Sequence, residues 1–153
     1  MDFETVSAAD FGKSLTGLGI NLLVRDVLNL QEFLTDVFDM KASRVSKDFA
    51  ILQFQNHILQ LHADHTYHSH PLPSLIPENG VRGGGIAIHL FDTDPDEAVR
   101  RAEGHKHDST LLQAAMNKPH GLRECVILCE NGYAWSPGRA LRGDEAADAV
   151  FAE

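Results

Sequence analysis

The chain of 153 residues is 43% apolar and carries 22 acidic against 13 basic side chains, a net charge of −9 with histidine neutral. That apolar share suffices for a packed core, whereas an acidic surface repels phosphate instead of releasing its counterions, which argues against a nucleic-acid partner. No apolar run approaches the roughly 20 residues of a membrane helix, and the opening Met1 to Glu4 is acidic where a signal peptide is basic, so the expectation is a cytoplasmic protein without a membrane partner.

Residues 1–15 lack a clean period and read as an N-terminal arm, loose or briefly helical. From Leu18 to Val24 the even positions are Leu18, Ile20, Leu22 and Val24 while the odd ones include Gly19 and Asn21, the alternation of a strand with one strongly apolar face. In the helix that follows, Leu30, Phe33, Leu34, Val37 and Phe38 fall on one stripe, with Asn29 and Glu32 resembling a capping box. Strands are expected over 42–46, 49–54 and 58–62, the last two joined across the polar break Gln55 to His57. Residues 71–84, punctuated by Pro71, Pro73, Pro77, Gly80, Gly83 and Gly84, read as a linker.

The same order then recurs. A strand is expected over 85–91, and Asp94, Pro95, Asp96 and Glu97 open a helix with an aspartate cap, a proline at its first position and acids in its first turn. Gly104 reads as its stop, with strands at 109–115, 123–129 and 133–136 and turns at Pro119 to Gly121 and Asn131 to Gly132. The tail from 143 to 153 reads as a short helix or a frayed end. Cys125 and Cys129, four apart on a strand, stand about 13 Å from each other, too far for a mutual disulfide.

The two halves look like one unit written twice: sliding Leu18 to Asp26 forward by 66 residues superposes Gly19 on Gly85, Ile20 on Ile86 and Asp26 on Asp92. A doubled strand-helix-three-strand module, with Pro119, His120, Gly121, Leu122, Arg123 and Glu124 leading to Asn131, Gly132 and Tyr133, resembles the vicinal oxygen chelate superfamily of glyoxalases, bleomycin-resistance proteins and extradiol dioxygenases. The ending resembles the family's Pro-Trp-Gly-x-Arg-Glu segment before a Gly-Tyr turn, with Cys129, Glu130 and Asn131 where Asp-Pro-Asp is usual. The resemblance implies an α+β fold in which two βαβββ modules, 16–70 and 85–142, form a cup-shaped mixed sheet with helices on its outer face. It also implies a homodimer and a small-molecule ligand.

In that family one residue from the first and last strand of each module holds a divalent metal, and the four positions fall here on Gly19, Gln60, Gly85 and Ser136. Glycine has no side-chain donor, and a carboxamide and a hydroxyl are weak ligands for a transition metal, so no metal is expected at these positions and no cofactor is predicted. Strand alternation sends Asn21, His62 and His89 to the same faces one step along. Two uses of His62 and His89 stay open beside plain polar lining: a displaced metal pair, or a catalytic acid/base pair.

Histidines are frequent, nine in all, and four stand as His62, His65, His68 and His70. The last three read as loop residues beside Pro71, and His105 and His107 as solvated. Arg123 has two readings, a structural ion pair or a contact to an anionic group of the ligand. Tyr133 and Trp135 read as core. The candidate ligand-binding set is therefore Asn21, Gln60, His62, His89 and Arg123. The function expected is small-molecule binding without the family's metal, and the alternative is a metal-dependent glyoxalase-like lyase, isomerase or dioxygenase using His62 and His89.

Overall fold

A computed structural model describes residues 1–105 and 108–148 of the chain. It contains three α-helices and two four-stranded mixed sheets, an α+β architecture built from two βαβββ modules. His107, read from sequence as solvated, and residues 149–153 of the tail lie outside the described residues. No helix is long and apolar enough to cross a membrane among the residues described.

In the first unit, helix α1 (Ala8–Ser14) precedes strand β1 (Ile20–Val24), helix α2 (Val27–Phe38) and strands β2 (Lys41–Ser43), β3 (Phe49–Phe54) and β4 (His57–Ala63). The strand order is β1-β4-β3-β2, with β1 parallel to β4 and the other pairs antiparallel. A parallel pair needs a long crossover between its strands, and α2 with the two intervening strands supplies it. Sheet partners share a face, so Leu22, Val24, Leu52, Leu59, Leu61 and Ala63 form one face, and all are buried. The opposite face carries Asn21, Leu23, Gln60 and His62.

The cap of helix α2 lies three residues before the expected one. Asp26 is the N-cap, its side chain accepting from the Asn29 N–H at 3.0 Å, so Asn29 is the recipient of the cap. The apolar stripe Leu30, Phe33, Leu34, Val37 and Phe38 is buried as its spacing requires. Residues 36–38 at the end of α2 group with the second unit, where the Phe38 ring lies 6.0 Å from that of Trp135.

The second unit repeats the order with β5 (Ala87–Leu90), α3 (Pro95–Gly104), β6 (Thr110–Asn117), β7 (Leu122–Leu128) and β8 (Ala134–Ala140), arranged β5-β8-β7-β6. Asp94 caps α3 and Pro95 opens it, as the sequence indicates. Trp135 is fully buried with Leu90, Ala98, Cys125 and Ile127. Burial in this apolar layer pushes the Cys125 thiol up to about 12, and Cys125 and Cys129 are both free and buried.

β8 runs four residues past the expected end at Ser136, through Pro137 and Gly138. Proline has no N–H to give to β7. At this step of the ladder the Ser136 hydroxyl donates to the Cys125 carbonyl at 3.0 Å, supplying the bond that Pro137 cannot. β5, by contrast, starts two residues late because Gly85 adopts a left-handed φ of +88° that a strand does not accommodate. The tail after β8 folds back: Asp148 exchanges bonds with the backbone of Asn117, and Glu145 clamps Arg139 at 2.8 and 3.0 Å.

Candidate functional site

On the open face of the first sheet, Asn21 pairs with Gln60 and Leu23 with His62 across β1 and β4. The His62 ring lies between Phe49 and Tyr67, 5.1 Å from each, and Tyr67 lies 4.9 Å from His70. Burial among these rings holds the His62 imidazole below its ordinary range, so it is neutral near pH 7, and its Nε2 is buried without a hydrogen-bond partner. A pocket of about 340 Å³ at one end of this unit brings Gly19 and Gln60 together with Gln53, Asn56 and His57. Its polar side chains are the carboxamides of Gln53, Asn56 and Gln60, the hydroxyls of Ser14 and Thr16 and the His57 imidazole, with no carboxylate among the lining residues described.

The other histidines of the run do not converge. His65 stands 2.9 Å from Asp48, His68 is bonded to the His65 carbonyl, and His70 accepts from the Leu72 N–H. Among the described residues no group of three or more His, Cys, Asp or Glu side chains is placed to hold a metal ion. His105, read from sequence as solvated, is largely covered and pairs with Asp36, because the stop after α3 turns it back onto the protein.

In the second unit the polar residues divide by face. Arg123 points to α3, making a bidentate pair with Asp96 at 2.8 and 2.9 Å and donating to Asn117 at 2.9 Å. The guanidinium draws the Asp96 carboxyl below the usual carboxylate range. Of the two readings of Arg123, this geometry is that of the structural pair. Glu124, one residue on, faces the other way with His89 and Ser136. Its side chain is only 10% exposed; Oε2 is 3.9 Å from His89 Nδ1 and Oε1 is 3.5 Å from His120 Nε2. Oε2 is buried with no hydrogen-bond partner. The His89 ring stacks on Phe91 at 5.6 Å.

Sequence reading did not place Glu124 or His120 in the candidate site: Glu124 was left to pair with Arg123 or with the opposite module, and His120 fell in the expected turn Pro119 to Gly121. The available signal was parity: Arg123 and Glu124 are adjacent on a strand and cannot share a face.

The structure also shifts the internal repeat. The helix caps Asp26 and Asp94 are 68 residues apart, and the parallel registers agree, pairing Asn21 with Gln60 and His89 with Ser136. The 66-residue slide matched Asp26 to Asp92 and was two residues short. Ala87 and not Gly85 is then the counterpart of Gly19, and His89 is the counterpart of Asn21. A shift of two preserves the face, so His89 stays on the open side.

These positions do not fit the family's metal. Gly19 and Ala87 have no donor atom, Gly85 has a left-handed backbone outside the strand, Gln60 offers a neutral amide, and the Ser136 hydroxyl proton is committed to Cys125. An open catalytic site requires about three imidazole or carboxylate donors.

No protein-family model matches the chain, and no curated protein matches it. Solved structures do. A glyoxalase/bleomycin resistance protein/dioxygenase family enzyme from Burkholderia phytofirmans PsJN superposes with a TM-score of 0.68 at 17% identity, over 80% of this chain and 97% of its own. A glyoxalase/bleomycin resistance protein/dioxygenase from Nocardioides gives 0.60 at 18% identity over 93% and 97%. Lactoylglutathione lyase from Agrobacterium tumefaciens gives 0.59 at 15% identity over 81% and 92%.

Proposed function

We propose, from the premise that this chain has the vicinal oxygen chelate fold shared by those structures, that it binds a small organic molecule without a metal at the family's positions. The observation that supports this reading is an intact pair of βαβββ modules whose four metal positions carry no imidazole and no carboxylate. Fold alone does not name chemistry, so the residues decide. The open sheet faces offer instead apolar and aromatic surface with a few directed polar groups, Asn21, Gln60 and His62 in one unit and His89 and Glu124 in the other, the composition of an organic-ligand site. A homodimer belongs to the same reading and is checked by light scattering.

The test is ligand-observed NMR of untagged protein against a mixture of small aromatic and polar fragments, with and without EDTA. Saturable binding that EDTA leaves unchanged supports the reading. Binding or turnover that requires added Zn, Ni, Fe or Mn overturns it and favours metal-dependent chemistry through His62 or His89.

A further inference from the structure

We infer that Glu124, His89 and His120 form a receptor for a small planar cation, an amidinium or a protonated amino-heterocycle, on the open face of the second sheet. The inference rests on the small-molecule reading above and names the chemical class of ligand for it.

The fold buries the Glu124 side chain to 10% exposure and leaves its Oε2 without a hydrogen-bond partner. Both flanking imidazoles stand beyond hydrogen-bond length, at 3.9 and 3.5 Å, and each is next to a different oxygen. The guanidiniums nearest in sequence and register, Arg123 and Arg139, lie on the opposite face, paired with Asp96 and Glu145. A buried carboxylate oxygen left without a donor costs stability. What is absent is a donor, and a planar cation with two N–H groups matches both oxygens at once.

The surroundings select the same class. Gly138 lies across the ladder from Glu124, and a Cβ there would come within 3.2 Å of the Glu124 Cβ, so the glycine makes room for the carboxylate. His89 and Phe91 stack nearly parallel, at 12° between planes, and offer an aromatic face beside the charge. The covering imidazoles are 42% and 57% exposed, so rotation of either ring uncovers the oxygens. An anionic ligand meets a carboxylate in a chain of net charge −9. Since the imidazoles stand beside different oxygens, the trio does not converge on one point as metal ligands must.

The experiment is calorimetric titration of the whole chain with benzamidine, benzamide and benzoate at neutral pH, on wild type, Glu124→Gln and Glu124→Asp. Wild type is expected to bind benzamidine at least about tenfold more tightly than benzamide, the factor worth roughly 1.4 kcal/mol, and to take up no benzoate. Glu124→Gln is expected to lose that preference while keeping its fold by circular dichroism, and Glu124→Asp, which retains the charge, to keep part of it. The ring protons of His89 and His120 are expected to shift on benzamidine addition. Equal affinity for benzamidine and benzamide in wild type, or an unchanged preference in Glu124→Gln, overturns the cation assignment and leaves the small-molecule reading standing. Silence toward all three probes also overturns it, and the fragment screen with EDTA decides the broader reading separately.

Discussion

The two modules have one topology and different chemistry on their open faces. Where β3 and β4 of the first pair Phe49 with His62, β7 and β8 of the second pair Glu124 with Gly138. Where β1 of the first carries Asn21, β5 of the second carries His89. The first face is neutral and aromatic, and the second holds a buried carboxylate between imidazoles. A βαβββ frame is specified by its buried apolar face and its turns, so the open face is free to change, and strand parity keeps each replacement on that face. The proposed ligand sites therefore lie in the half of each strand that the fold does not need.

The largest effect that probes this contrast is in the buried layer. Trp135→Ala is expected to cost about 3–5 kcal/mol in denaturant unfolding, because a fully buried indole leaves a cavity. A cost below about 1 kcal/mol would mean that the second module does not depend on its apolar layer as the first does on Leu22, Leu52 and Leu61. Next is Glu124. If it serves a ligand and not the fold, Glu124→Gln raises stability by about 1 kcal/mol by removing an unsatisfied buried charge. A loss of stability would make Glu124 a structural residue and erase the distinction drawn between the faces.

A smaller effect belongs to the ion pair behind the second sheet. Asp96→Asn is expected to cost about 0.5–1 kcal/mol, since the pair is partly exposed and screened by solvent. The folded Asp96 carboxyl sits below its unfolded value near 3.8, so its contribution is complete above that value and disappears as pH falls through the depressed one. Acid unfolding of Asp96→Asn is expected to be correspondingly flatter. The smallest effect is in the first module: the folded His62 lies below the unfolded 6.5, so stability is full above about 6.5 and declines as pH falls toward the folded value. His62→Phe is expected to flatten that decline, which thermal melts across mildly acidic buffers measure.

Much of the fold was legible because it is written in periodic apolar residues and punctuation. Asp94 and Pro95 announced α3 correctly, and the even positions of β1 identified its buried side. The errors lie where one signal overrode another. Asn29 was read as the cap of α2 and so Asp26 was missed, and the last strand was ended at Ser136 although that serine's hydroxyl supplies the bond that Pro137 cannot. Of the candidate site, Gln60 came from the family resemblance, and Asn21, His62 and His89 were placed by strand alternation from the family positions. Glu124 was not, because its opposition to Gly138 depends on the register of a hairpin whose connecting turn does not fix it in the sequence.

The central claim is that this frame has exchanged metal chemistry for direct ligand recognition, and metal stoichiometry tests it most directly. Elemental analysis of untagged protein, dialysed against Zn, Ni, Fe and Mn in turn, is expected to find less than about 0.1 equivalent of any of them, because the four family positions lack the donors of an open catalytic site. Close to one equivalent, abolished by His62→Ala or His89→Ala, would contradict the account.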